Sequence, residues 1–135
     1  MEKLHIKARK DSPEIVFNPQ NNEFSIRGVC HPENVTKFFL PVVRWLDEYL
    51  LELKKTGVKV PISVVFFFRY FNSATYKFLI TLLQKINEFS SLSIPITVKW
   101  YYEIEDDDMR ESGVELFEFS GIKIPYECVE SNFSD

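Results

Sequence analysis

Two short stretches of this 135-residue chain carry side chains that could do chemistry. The first is Asn72-Ser73-Ala74-Thr75, a polar quartet between two apolar segments, "VPISVVFFFRYF" and "YKFLITLLQ". Asn72 or Ser73 suits a helix N-cap, its side-chain oxygen accepting from a backbone N–H that has no partner within the helix. An exposed hydroxyl at the head of a helix can also accept a phosphate. That group brings about -1.5 to -2 charges to a place where backbone N–H groups and the helix dipole tolerate an anion. The second stretch is the run Glu103, Glu105, Asp106, Asp107 and Asp108. These acids suit a solvated loop that completes the first turn of the next helix, or a Mg²⁺ site, because hard cations choose carboxylates. Consecutive acids in one helical turn point in different directions around the axis, so the expectation is that no structural metal sits there.

Other chemistry is poorly provided for. Four glycines form no phosphate-binding loop, and neither GxSxG nor HExxH occurs. His5 and His31 stand alone, and Cys30 and Cys128 lack the spacing of a zinc site or a redox CxxC. No constellation for nucleophilic or acid–base catalysis emerges, and no cofactor is called for. Sixteen Lys and Arg against 20 Asp and Glu give a net charge of -4, with "KARK" at Lys7 to Lys10 as the one basic run. Nucleic acid is therefore not an expected partner. No apolar segment approaches the roughly 18 residues of a membrane span, and the first residues lack the apolar core of a signal peptide. A cytoplasmic protein with reduced thiols is expected.

The elements that must position these residues read as an α/β chain. With 45% hydrophobic and 16% aromatic residues, residues 1–135 are expected to form one domain with a bulky core. "EIVFN" and "EFSIRGV", separated by "PQNN", predict a β-hairpin whose period of two buries one face. Val35, Phe38, Phe39, Val42, Leu46, Tyr49, Leu50 and Leu53 recur at helical spacing, with Pro32 and Glu33 suiting the entry and Lys54, Lys55 and Gly57 the exit. Pro41 inside this stretch predicts a kink or a break. "VPISVVFFFRYF" predicts a central strand with Phe66 to Phe68 covered on both faces. Tyr76, Leu79, Ile80, Leu83, Ile86 and Phe89 predict a second helix, "IPITVKWYYEI" a parallel strand after it, and "EDDDMRESGVELFEFSG" a third helix. "IKIPYECVE" fits a last strand or an irregular tail. The result is a mixed sheet of about four or five strands, with both chemistry-bearing stretches beyond the carboxyl ends of parallel strands, where open α/β sheets place their binding crevices.

"HPEN" before the first helix, "YFNSAT" after the central strand, and "VKWYYEIEDDDMRESGVEL" together resemble the SiaC family of bacterial regulatory phosphoproteins, over nearly the whole chain. The resemblance implies a fold similar to STAS domains and anti-anti-sigma factors. It implies a partner-switching module that a dedicated kinase phosphorylates and a PP2C-type phosphatase restores. The unmodified form would bind and activate an effector, a diguanylate cyclase, within cyclic di-GMP signalling that controls biofilm formation and aggregation. The family's acceptor follows the Asn of the motif and is often Thr, which maps onto Ser73, with Thr75 as the fallback because Ala74 stands where a second hydroxyl is common. Asn72, Ser73, Thr75, Tyr76, Tyr102 and Glu103 are the partner-binding residues that the resemblance implies. A small metal-dependent enzyme using the acidic turn and a structural oligomer subunit are the two other classes.

Overall fold

Alternating burial along Glu14–Asn18 and Glu23–Cys30 sets the first strand pair: Ile15, Phe17, Phe24 and Ile26 are buried, and the residues between them are not. In the computed structural model, which describes residues 1–132, these segments are β2 and β3. A short β1 (Leu4–Ile6) precedes them. After β3 the chain runs α1 (Val35–Thr56), β4 (Ile62–Phe71), α2 (Ser73–Ser90), β5 (Ile96–Glu103), α3 (Asp107–Ser120) and β6 (Tyr126–Ser131). The six strands form one sheet in the order β1-β2-β3-β4-β5-β6. β1, β2 and β3 pair antiparallel, and β3 to β6 are parallel to one another. The sheet has more strands than the four or five expected, because β1 is only three residues long and carries no periodic signal, and because "YECVES" is a strand rather than a tail.

α1 is unbroken through Pro41. Proline removes the N–H that would bond the Lys37 carbonyl four residues back, but Pro41 lies on the exposed side, where water can take that bond. Its entry is capped by Asn34, which follows the expected Pro32-Glu33 pair and whose Oδ1 accepts from Lys37 N at 3.0 Å. Its exit is capped by Gly57 at φ 70, whose N–H donates to the Leu53 carbonyl at 3.0 Å.

All three helices lie on one face of the sheet. Register aligns Ile15, Ile26, Phe66 and Trp100 across four strands on that face. Trp45 of α1 packs edge-on against Phe17 and Phe24 at 5.6 and 5.3 Å, Phe89 of α2 lies 6.0 Å from Tyr49 of α1, and Phe117 of α3 lies 6.2 Å from Trp100. The opposite face presents Val16, Ser25, Val65 and Lys99 in one row and Arg27, Phe67 and Tyr101 in the next, with no helix over it among the described residues. The expectation that Phe66 to Phe68 are covered on both faces holds, all three being exposed by 1% or less, but the second face is covered without a helix among the described residues. Strand order in space repeats strand order in sequence, so every crossover steps one strand in the same direction. With one hand for all crossovers, every helix lands on the same side. Phe67 is only 1% exposed nonetheless, its ring tilted against Tyr101 at 5.6 Å. Val64, Phe66 and Phe68 of the apolar run face the helices, and Phe67 alone of the three Phe lies on the other face, where Tyr101 is one of its neighbours.

α3 approaches β5 closely enough to exclude a side chain at Gly113, where an added Cβ would lie 2.4 Å from the Trp100 indole. The same indole donates through Nε1 to the Met109 carbonyl at 2.9 Å, fixing the helix over the strand. Among the described residues no helix is long and apolar enough to cross a membrane.

Candidate functional site

Because β3 to β6 are parallel, their carboxyl ends share one rim. The rim runs from His31 through Asn72 and Ser73 to Ile104 and Asp106. The strand order never reverses, so the sheet has no switch-point crevice of the kind expected from open α/β folds. The chemistry-bearing residues occupy an exposed rim instead.

Asn72 caps α2 from an extended backbone: its Oδ1 accepts from Thr75 N at 2.9 Å and its carbonyl from Tyr76 N at 3.0 Å. Its own N–H donates to the Cys30 carbonyl at 3.2 Å, which joins the ends of β3 and β4. Ser73 and Ala74 are both exposed, and their backbone N–H groups have no acceptor among the described residues. The Ser73 hydroxyl thus stands in solvent beside two unpaired donors at the positive end of a helix dipole, a setting that favours an anion. Lys77, one helical turn on, is exposed on the same side.

Thr75 is different. It is fully buried, and its Oγ1 donates to the Cys30 carbonyl at 3.0 Å and lies 3.5 Å from Cys30 Sγ. Its hydroxyl, expected as the fallback acceptor and as a partner contact, meets no solvent in this structure and is engaged in fixing the helix to the sheet. The signal was available: Thr75, Leu79, Leu82 and Ile86 share one helical face, and the last three are core residues.

The other expected partner residues divide by face. Tyr76 is half-buried with its ring stacked on Phe71 at 6.2 Å. Its hydroxyl is buried and has no hydrogen-bond partner among the described residues, and burial, with a smaller contribution from Glu115, pushes its pKa up. Tyr102 is half-buried against the core, whereas its neighbour Glu103 points to the open face, where its carboxylate meets Arg69 Nε at 3.4 Å. Asn72, Ser73 and Glu103 therefore share the rim, while Tyr76 and Tyr102 offer it only partial surfaces.

In the acidic turn Asp106 is the N-cap of α3, accepting from Met109 N at 3.1 Å, and Asp107 and Asp108 fill the first turn. Glu105 holds a left-handed φ of 69, which turns the chain between β5 and α3. Among the described residues no three His, Cys, Asp or Glu come together in a way that could hold a metal ion.

Sequence reasoning missed two features of the rim. Tyr70 and Ile104 are large apolar residues exposed by 54% and 59%, and Tyr70 packs against His31 at 5.7 Å. On the His31 side of the rim, between the β1–β2 loop and the start of α1, lies a groove of about 760 Å³ lined by residues that include Ile6, Arg9, Lys37, Phe38 and Pro41. Its two walls are distant in sequence and meet because β2 runs antiparallel to β3, which sets the start of β2 beside the end of β3, where His31 N donates to the Asp11 carbonyl at 2.8 Å.

The sequence model of the SiaC family regulatory phosphoproteins matches residues 6–128. An uncharacterized protein of Pseudomonas aeruginosa strain UCBPP-PA14 is 24% identical over 118 residues, covering 87% of this chain and 90% of that protein. Apo-SiaC from Pseudomonas aeruginosa superposes with a TM-score of 0.80 at 22% identity, over 96% of this chain and 99% of that one. SiaC in a complex with the diguanylate cyclase SiaD, where it is described as the activator, superposes with a TM-score of 0.83, also at 22% identity, over 95% of this chain and 99% of that one. At this identity the superpositions establish a shared fold.

Proposed function

This chain belongs to the SiaC family of regulatory phosphoproteins, and from that premise we propose that it is a phosphorylation-controlled partner switch whose unmodified form binds and activates a diguanylate cyclase. The solved relative bound to SiaD supports the choice of effector. In this reading the chain is a cytoplasmic regulator and not itself an enzyme. A serine/threonine kinase adds the phosphate and a PP2C-type phosphatase removes it.

One observation carries the assignment of the acceptor: of the two hydroxyls in the quartet, Ser73 is exposed beside unpaired helix N–H groups and Thr75 is buried and bonded. A dianion on Ser73 is accommodated by the helix end, so the fold survives. A partner docked over the rim would have to bury that charge unpaired, at several kcal/mol, and binding is switched off.

The test is to phosphorylate the protein with its cognate kinase and ATP and locate the phosphate by mass spectrometry. Cyclic di-GMP synthesis by the diguanylate cyclases of the same organism is then measured with the wild type, Ser73→Ala and Ser73→Asp. Activation of one cyclase by the wild type and Ser73→Ala, with loss on phosphorylation and in Ser73→Asp, is expected. Equal activation by every form, or by none, would sink the reading.

A further inference from the structure

We propose that the groove between the β1–β2 loop and the first turns of α1 is where the effector docks, and that the docking segment is amphipathic and acidic. The inference rests on the partner-switch reading and adds to it the place and the chemistry of the contact.

The groove has an apolar floor, with Ile6, Phe38 and Pro41 among its lining residues, and Arg9 and Lys37 at its walls. Lys7 and Lys10 flank it on the same exposed loop. Against these four cations stand Asp11 and Glu33, and none of the four forms an ion pair among the described residues. A chain of net charge -4 thus gathers unpaired positive charge around one apolar groove. Charge complementarity asks for an acidic partner, and the floor asks for apolar side chains on the same segment. Nucleic acid fits less well, because Asp11 and Glu33 would face its phosphates. A flat bilayer cannot enter a concavity walled by a loop and a helix.

The groove is continuous with the switch. Pro32 and Asn34 in its lining follow directly from β3, whose last residue, Cys30, accepts from Asn72 N at 3.2 Å. His31 packs on Tyr70 at 5.7 Å, and Phe39, next to Phe38, stacks on Phe78 of α2 at 4.9 Å. A phosphate on Ser73 would stand at the end of this surface and repel an acidic segment lying along it, which gives the direction of the switch an electrostatic cause.

The experiment places a photo-crosslinking amino acid at Glu33, or at Lys59 on the opposite rim as control, in the full chain in its own organism, and sequences the crosslinked peptide. It then adds Arg9→Glu/Lys37→Glu, exposed substitutions whose unchanged melting temperature is verified. The expected result is an adduct at Glu33, absent at Lys59, to an acidic segment with apolar spacing. The double reversal or raised salt should weaken it by about tenfold or more. If that segment belongs to a diguanylate cyclase, both the groove and the effector reading stand; if it belongs to another protein, the groove stands and the cyclase reading falls. Cyclase activation that persists without a Glu33 adduct, or unchanged in the double reversal, overturns the groove and leaves the switch. An adduct to a basic segment, nucleic acid or lipid overturns the groove, and absence of both adduct and activation overturns both.

Discussion

The Thr75 hydroxyl donates to the Cys30 carbonyl across 3.0 Å, tying the first turn of α2 to the end of β3. The same carbonyl accepts from Asn72 N, so two residues flanking Ser73 lock the helix to the sheet while Ser73 takes no part. A change at Ser73 therefore leaves the contacts that hold the rim in place untouched.

Thr75→Val should remove one hydrogen bond and keep the shape. The Cys30 carbonyl retains Asn72 as a donor, so the loss should be about 1 kcal/mol, read as a fall of several degrees in the melting temperature. Kinase-dependent phosphate incorporation should persist in this variant and vanish in Ser73→Ala. The opposite pattern would return the acceptor to Thr75.

Asn72→Ala should cost about 1 kcal/mol, because Thr75 N loses its capping acceptor. Ser73→Ala should stay within about 0.5 kcal/mol of the wild type, as expected of a surface substitution whose hydroxyl makes no bond among the described residues. Urea unfolding of the two variants side by side checks the ranking, and equal losses would mean that Ser73 shares the cap.

Gly113→Ala should destabilise far more than an ordinary helix substitution. Glycine to alanine in a helix normally gains stability, but here the added methyl would lie 2.4 Å from the buried Trp100 ring, and overpacking of this kind costs about 1–3 kcal/mol. A blue-shifted or broadened tryptophan emission should accompany the loss. A stabilised variant would show that α3 can lift from β5 at no cost.

Burial pushes the Cys30 thiol up from 9.0 to about 11. The folded state thus binds this proton more tightly than the unfolded state. Its contribution is fully present below pH 9, and above that stability should fall by about 1.4 kcal/mol per pH unit until the folded thiol ionises near 11. Denaturation between pH 8 and 11, comparing the wild type with Cys30→Ala, checks this: the alkaline slope should be shallower in the variant. Tyr49 and Tyr76, also raised by burial, add losses of the same sign at higher pH.

How much of this was legible in the sequence depends on the length of each signal. β2 and β3 announce themselves by alternation and α1 and α2 by helical spacing, because each buries one face over enough residues to show a period. β1 does not, since Leu4 and Ile6 acquire meaning only opposite Phe17 and Ile15. The aromatic run in β4 correctly signalled that Phe66 to Phe68 are buried, but not that the helices lie on one face only, because composition reports burial without reporting what does the burying. At the site, the polar quartet marked the helix start correctly, whereas the burial of Thr75 was not read although helix phase places it with Leu79 and leaves Ser73 outside. The groove was illegible because nothing local joins Arg9 to Lys37.

The strand order carries a consequence for how the chain is made. Each strand of the sheet pairs with the one synthesised just before it, so no formed pair has to open to admit a later arrival. As the chain leaves the ribosome the sheet can lengthen at a single growing edge, each helix folding back over it before the next strand emerges. Phe66 and Phe68 have Trp100 as a later-made neighbour at 5.7 and 5.8 Å. The most apolar strand is therefore incomplete only during the interval in which α2 is being synthesised to cover it.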